Sequence, residues 1–475
     1  MQPKTLWMNW KELYKNKLNR ESKLNLNNIN TVYFLGIGGI GMSNLARYMQ
    51  HVGKDVVGYD KTESPITTKL LSENMTIHFE INLDWVLQQN FDKKSTLIVY
   101  TPAIKRNENA ELDYFITHDF SVIKRAELLG IITQNTICLA VAGTHGKTTT
   151  SSLLGHILKL ANTSATSFLG GITENYHTNL ILGGDKYSVV EADEFDRSFL
   201  HLFPDYACIT AIDADHLDIY KDEKDFESTF QEFANLVSEK LIVKNGIPIK
   251  GLTYGIEDHS DYEASNIRIQ NGAFIFDVTT PEDKIQNIEL YVPGRHNVLN
   301  TLAALALATS IGIPLPIIAQ AIATFKGVER RFSYKIKNKN LVLIDDYAHH
   351  PTEISALYNA VRELYPQDEI LIIFQPHLYT RTRDFESDFV KSLAKFDKVL
   401  VLPIYEAREH PIEGITSNVL VEKIAKINPN VFLVKPSEIE KQILDSKKRI
   451  VLMVGAGDIG EMVTKVVKYL NELEK

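Results

Sequence analysis

The chain has 475 residues, 44% hydrophobic and 23% charged, an ordinary globular composition in a chain too long for one hydrophobic core. Its 51 Lys and Arg against 60 Asp and Glu leave a net charge of −9, and no long basic block occurs, which argues against nucleic acid or an anionic membrane as a partner. No run of about 18 apolar residues is present, and the polar opening stretch lacks the apolar core of a signal peptide, so a cytoplasmic location is expected. The two cysteines, Cys138 and Cys208, sit singly in apolar runs and read as small buried hydrophobes rather than metal ligands or a disulfide.

Apolar β-branched runs alternate with helix-period segments from residue 31 onward, which predicts parallel sheets in an α/β fold. "TVYFLGIGGIGMSNLARYM" reads as strand, glycine turn and helix, with Gly36, Gly38 and Gly41 spelling G-x-G-x-x-G. Asp60 closes the next apolar run, at the spacing where a dinucleotide-binding fingerprint carries its ribose-binding acid. The same fingerprint returns near the end of the chain as Gly455, Gly457 and Gly460. Two copies weaken the reading of an NAD enzyme, because the pattern marks a strand-to-helix turn with exposed N–H groups and leaves the ligand open.

"ICLAVAGTHGKTTT" carries the strongest chemistry. Gly143 and Gly146 let the chain curl with its N–H groups turned inward, a nest for polyphosphate at a helix N-terminus. Lys147 supplies a point charge for the phosphates and Thr148 a hydroxyl for Mg²⁺. The spacing is shorter than the full phosphate-loop form, because Val141 stands where that form has its first glycine. A metal needs oxygen ligands, and "YSVVEADEFDRSFL" offers Glu191 just after an apolar strand, with Asp193, Glu194 and Asp196 nearby. "CITAIDADHLDIY" is a further strand ending in Asp213, Asp215, His216 and Asp218, of which His216 is a metal candidate. In "VPGRHNVLNTLAALALA", His296, Asn297 and Asn300 open a buried helix; an Asn amide can pair with an adenine edge, or Asn297 can simply cap the helix.

The last block has two polar clusters just after apolar runs, where open α/β sheets bind ligands. "DDYAHHPTEI" brings Asp345, Asp346, Tyr347, His349, His350 and Glu353; "FQPHLYTRTRDF" brings His377, Arg381 and Arg383. Arg330 and Arg331 in "GVERRFSY" add cations suited to clamping anions.

In this order, "GIGGIGMS", "AGTHGKTTT", "VEADEFDRSFL", "DADHLDIY", "GRHNVLNTLAA", "GVERRF", "DDYAHHPTE" and "QPHLYTRTRDF" closely resemble the Mur ligase family, over about residues 31 to 460. The resemblance implies three α/β domains: a Rossmann-like UDP-sugar-binding domain at 1–135, a central phosphate-loop domain for ATP and Mg²⁺ at 136–330, and a Rossmann-like domain for ATP and the amino acid at 331–475. It implies a ligase that joins L-alanine to the lactyl carboxylate of UDP-N-acetylmuramate through an acyl phosphate, for peptidoglycan precursor synthesis. By this resemblance Gly36, Gly38, Gly39, Gly41 and Asp60 would hold the UDP part. Gly143, Thr144, His145, Gly146, Lys147, Thr148 and Thr149 would hold the ATP phosphates, with His296, Asn297, Asn300 and Arg330 completing the nucleotide site. Thr148, Glu191 and His216 match metal positions. Lys147, His349, His350 and Arg381 would act in catalysis, and His377, Arg381 and Arg383 in substrate binding. A monomer or homodimer is expected.

The chain departs from this pattern at Leu378, where many relatives carry arginine, and its first 30 residues match nothing in it. Nor does the sequence place the carbamylated lysine that some related ligases use. Three alternatives stand beside the main expectation: a ligase that recycles a whole peptide onto UDP-N-acetylmuramate, an NAD-dependent oxidoreductase, and a non-catalytic nucleotide-binding switch.

Overall fold

A first, parallel sheet is built from β1 (Thr31–Leu35), β2 (Asp55–Tyr59), β3 (Thr76–His78), β4 (Thr96–Tyr100) and β5 (Ser121–Lys124), in the order β3-β2-β1-β4-β5. β1 is buried from Val32 to Leu35 because helices cover both faces. Val32 and Phe34 pack with Met42, Leu45 and Met49, whereas Tyr33 and Leu35 pack with Val86, Leu112 and Phe115. Strand order reverses between β1 and β4, so the glycine turn after β1 lies at the switch point where such sheets bind ligands. The computed structural model describes residues 24–213, 220, 222–407 and 409–473.

The second sheet contains β6 (Ile137–Ala142), β7 (Ala165–Phe168), β8 (Leu180–Ile181), β9 (Tyr187–Ala192), β10 (Tyr206–Ile209), β11 (Lys240–Lys244), β12 (Leu252–Ile256), β13 (Tyr262–Gln270), β14 (Ala273–Thr279) and β15 (Lys284–Leu290). Its order is β15-β14-β13-β12-β11-β10-β6-β9-β7-β8. β6 lies between β10 and β9, with Val141 opposite Glu191, so the turn after β6 is flanked by the ends of both neighbours. The third sheet has β16 (Ser333–Lys337), β17 (Val342–Asp346), β18 (Ile370–Phe374), β19 (Lys398–Val401), β20 (Val431–Leu433) and β21 (Ile450–Val454), in the order β16-β17-β21-β18-β19-β20. Only β16 runs antiparallel to its neighbour.

The chain folds into two units. The first holds the described residues through Ser265 with Asp277–Ile288 and Leu299–Thr324; the second holds Asn266–Phe276, Glu289–Val298 and the chain from Phe325 onward. Within the first unit, polar bonds join the first sheet's layer to the second's. The fully buried Asn179 donates to Ile40 O (2.7 Å) and Ser43 Oγ (2.9 Å) and accepts from Arg47 (2.6 Å). Asn44 donates to Leu169 O at 3.0 Å. A side chain at Gly130 would meet the His201 carbonyl at 2.4 Å, so the helix Arg125–Thr133 approaches closely only because it carries glycine there. Cys138 and Cys208 are both buried in the sheet, as expected.

The buried His156 of the helix Lys147–Leu160 links Tyr176 Oη (2.7 Å) to Thr324 Oγ1 (3.0 Å). Burial lowers its pKa to about 4. The folded state thus binds fewer protons than the unfolded chain, whose imidazole titrates near 6.5, and stability present above that pH is lost as pH falls toward 4. The difference corresponds to about 3 kcal/mol at most. Denaturant unfolding of the wild type and His156→Gln at pH 7.5 and 4.5 should show the larger acid loss in the wild type; equal losses would remove His156 from this role.

Candidate functional site

Residues 143–146 turn from β6 into the helix Lys147–Leu160, and two glycines make the turn possible. Gly143 has φ +125° and leaves no room for a side chain, since a Cβ would lie 2.3 Å from Thr210 Oγ1. Gly146 has φ +83°, and a Cβ there would lie 2.3 Å from Asn300 Oδ1. The Thr210 hydroxyl, 2.5 Å from His145 O and 3.1 Å from Ala142 O, fastens the loop to β10. Thr144 N donates to Ala211 O at 3.0 Å. No side chain caps this helix, nor the helix Ile40–His51 that follows the first fingerprint, whereas Ser64, Asn82 and Asn109 cap the helices at Pro65, Leu83 and Ala110. Both glycine-led helices therefore keep first-turn N–H groups for something other than a cap.

Lys147 is nearly buried and folds back over the loop. Its Nζ donates to Gly143 O (2.6 Å) and to both oxygens of Glu194 (2.8 and 3.0 Å). Burial by itself would lower its pKa, but Glu194, Asp193 and Glu191 together raise it above the usual lysine value. Thr148 Oγ1 donates to Glu191 Oε1 at 3.2 Å, and Gly170 N donates to Glu191 Oε2 at 3.1 Å. Glu191 belongs to β9 itself rather than to the turn after it.

The other three acids of the cluster face cations. Asp193 pairs with Arg125 (3.2 Å), Glu194 with Lys147, and Asp196 with Lys124 (2.7 Å). Of the four, Glu191 is the one set beside the Thr148 hydroxyl, and this pair offers only hard oxygen donors, the chemistry that suits Mg²⁺. β10 ends at Ile209, so Asp213 lies in the loop beyond, its N donating to Thr144 Oγ1 and its carboxylate 3.3 Å from His145 Nε2. Asp215, His216 and Asp218 lie outside the described residues.

At the first fingerprint, Gly36 turns with φ +86° and donates its N–H to Tyr59 O. Asp60 bends back to accept from Gly38 N at 2.7 Å. Arg125, which the sequence reading missed, lies against Gly41, its Nη1 3.0 Å from where a Cβ would stand. Its only sequence signal is its place just past a β-strand. The second fingerprint is filled by protein: Gln375 Oε1 accepts from Ile459 N at 3.0 Å, and Arg330 occupies the space beside Gly460 and donates to Gly455 O at 2.6 Å.

The second unit gathers a polar group at the carboxyl ends of β17, β18 and β21. His349 lies 3.4 Å from Glu353, with its ring 6.1 Å from that of His377, which stacks on Tyr405. Arg381 is buried with Nη1 3.4 Å from His377 Nδ1. Arg330 and Arg331 lie over the Tyr347 ring. Burial, reinforced by Arg381 and Arg331 and opposed by Glu353, lowers the pKa of His349 to about 4. Burial and Arg331 do the same for His296. Asp346 is pushed up to about 6 by burial, against the pull of Arg331 and two backbone amides.

Several expected residues turn elsewhere. His350 caps the helix Pro351–Leu364 and packs on Phe385. Arg383 is half-exposed and pairs with Asp384. Asn297 is not a helix cap: the helix begins at Arg295, and Asn297 donates to Pro293 O at 2.6 Å. In the first unit, Asn300 faces Gly146 at the glycine turn before Lys147.

Three family models match the chain in succession: the Mur ligase family, catalytic domain, at residues 31–136; the Mur ligase middle domain at 141–308; and the Mur ligase, glutamate ligase domain at 330–469. The chain is 53% identical over 451 residues to the UDP-N-acetylmuramate–L-alanine ligase of Flavobacterium psychrophilum, covering 94% of this chain and all of that protein. It is 45% identical to the corresponding ligase of Porphyromonas gingivalis, over 93% of this chain and 99% of that one. Among solved structures, the UDP-N-acetylmuramate-alanine ligase MurC of Thermotoga maritima superposes with a TM-score of 0.80 at 29% identity, covering 93% of this chain and 99% of that one. A murein peptide ligase of Psychrobacter arcticus shares the fold at 23% identity, with a TM-score of 0.68 and coverage of 93% and 98%. This chain belongs to the Mur ligase family.

Proposed function

We propose that this chain uses ATP to join L-alanine to the lactyl carboxylate of UDP-N-acetylmuramate in the cytoplasm, as a monomer or homodimer, with domain divisions near residues 135 and 330. The observation that carries the reading is the uncapped helix start at Lys147, with its glycine turn and the Thr148–Glu191 oxygen pair beside it. It is supported by relatives of that activity that match this chain over nearly their full length.

The chemistry follows from the charges. The lactyl carboxylate attacks the γ-phosphorus of ATP, giving an acyl phosphate and ADP; the alanine amine then attacks the acyl carbon and phosphate leaves. Bringing two anions together requires cations and N–H dipoles more than covalent help. The amides at Gly143–Thr148 cradle the phosphates and Lys147 neutralises the transferring group. Bound beside Thr148 and Glu191, Mg²⁺ would act as a Lewis acid toward the phosphate oxygens. The amides after Gly36 hold the UDP pyrophosphate, with Arg125 alongside. In the second unit, Arg381 and Arg331 are the cations for the alanine carboxylate. His349, whose pKa of about 4 keeps it neutral at pH 7, can accept a hydrogen bond from the alanine amine and orient it toward the acyl carbon.

Phosphate release measured with substrates omitted one at a time should require ATP, UDP-N-acetylmuramate and L-alanine together. Release with a tripeptide in place of alanine would move the assignment to the peptide-recycling ligase. Lys147→Ala should cut turnover by about a thousandfold or more with an unchanged circular dichroism spectrum; retained turnover would end its assignment. Glu191→Gln should raise the Mg²⁺ concentration for half-maximal rate by about tenfold, and an unchanged Mg²⁺ titration would remove Glu191 from the metal site.

A further inference from the structure

We infer that Glu194 is a positioning residue for the phosphate loop: its carboxylate holds the Lys147 ammonium as a place-holder anion that the nucleotide's phosphates displace. This rests on the reading of Gly143–Thr148 as a phosphate loop and adds a competitor inside it.

An ammonium has three N–H donors. Here two reach the Glu194 oxygens at 2.8 and 3.0 Å and the third reaches Gly143 O at 2.6 Å, with Thr144 O a more distant acceptor at 3.5 Å. All three are taken by the protein, so a phosphate can gain Lys147 only if one of these bonds is given up. The Gly143 carbonyl is part of the loop itself. The carboxylate is the group a phosphate most resembles, an anion presenting two oxygens, and a polyphosphate outbids it in charge.

Glu194 is not there by accident of a loose side chain. It is 1% exposed, and its backbone is pinned: its carbonyl accepts from Arg197 N (3.0 Å) and from Tyr220 Oη (2.5 Å). Asp196 and Arg197 follow with φ near +53°, a conformation L residues rarely adopt. Ion pairs to Lys124 and Asp225 hold those two residues. A strained turn fixed from both ends thus aims a buried carboxylate at the loop lysine. Without it, the ammonium would be a nearly buried charge with too few acceptors. With it, the lysine stays ordered and charged, at the cost of competing with the nucleotide.

The test is ADP affinity by calorimetry, with Mg²⁺ present, in the full chain. Glu194→Gln keeps the size and removes the competing charge, and should bind ADP about fivefold more tightly, while Glu194→Asp should return toward the wild-type value. A purely structural role for Glu194 would weaken binding on mutation. Unchanged or weaker binding by Glu194→Gln overturns the place-holder. Wild type that binds no ADP overturns the phosphate-loop reading beneath it. A measurement on the wild type covers a variant that fails to fold: with lysine ¹⁵Nζ and glutamate ¹³Cδ labels, ADP should shift the Lys147 and Glu194 signals together. A Lys147 shift with Glu194 unmoved overturns the displacement.

Discussion

The segment Glu191–Arg197 controls the electrostatics of the first unit. Four acids lie within six residues there, an arrangement that would repel itself unless each found a partner. The partners come from two places: Lys147 and Thr148 at the start of the helix that follows β6, and Lys124 and Arg125 where β5 passes into the helix Arg125–Thr133. One short stretch at the end of β9 therefore ties the two glycine turns of this unit to each other. Its positive-φ kink at Asp196 and Arg197 is the backbone strain needed to aim consecutive side chains in divergent directions.

In the second unit burial sets the charge state of the histidines. Histidines that would be half-protonated near pH 6.5 in water are held neutral, chiefly by burial, with Arg331 acting on His296 and Arg381 and Arg331 on His349. A neutral imidazole beside fixed arginines suits a reaction that needs a hydrogen-bond acceptor and an anion clamp together. Asp346 shows the same environment from the other side: a carboxylate whose ionisation is resisted by burial and held near pH 6 only by Arg331 and the amides of Phe332 and Ala348.

Much of the fold was legible because parallel strands covered on both faces write themselves as unbroken apolar runs, as in "TVYFL" and "ICLAVA", and glycine turns end them visibly. The turn from Gly143 into the helix at Lys147 was legible for the same reason, since glycine, lysine and hydroxyl follow one another along the chain. Partners that come from distant elements were not. Nothing local marks Arg125 as the neighbour of Gly41, Asn179 as a buried junction, or Glu194 rather than Asp193 as the acid on Lys147. The pair His349–His350 looked like two equivalent imidazoles, yet adjacent residues at a helix start point apart, so one joins the polar cluster and the other caps the helix.

The two G-x-G-x-x-G turns carry this furthest. Their sequences are alike and both lie between a strand and a helix, but the space that glycine opens is occupied differently. At Gly455–Gly460, Gln375 takes the amide of Ile459 and Arg330 fills the gap at Gly460, so the turn serves close packing of strand and helix. At Gly36–Gly41, the helix start has no side-chain cap and a guanidinium lies against it. A cation beside a helix N-terminus is repelled by the macrodipole. It is favourable there only with negative charge nearby, which Asp193 supplies in part and an anionic substrate would complete. The glycine pattern specifies a backbone shape, and the long side chains delivered from elsewhere decide whether that shape becomes a binding site or a packing contact.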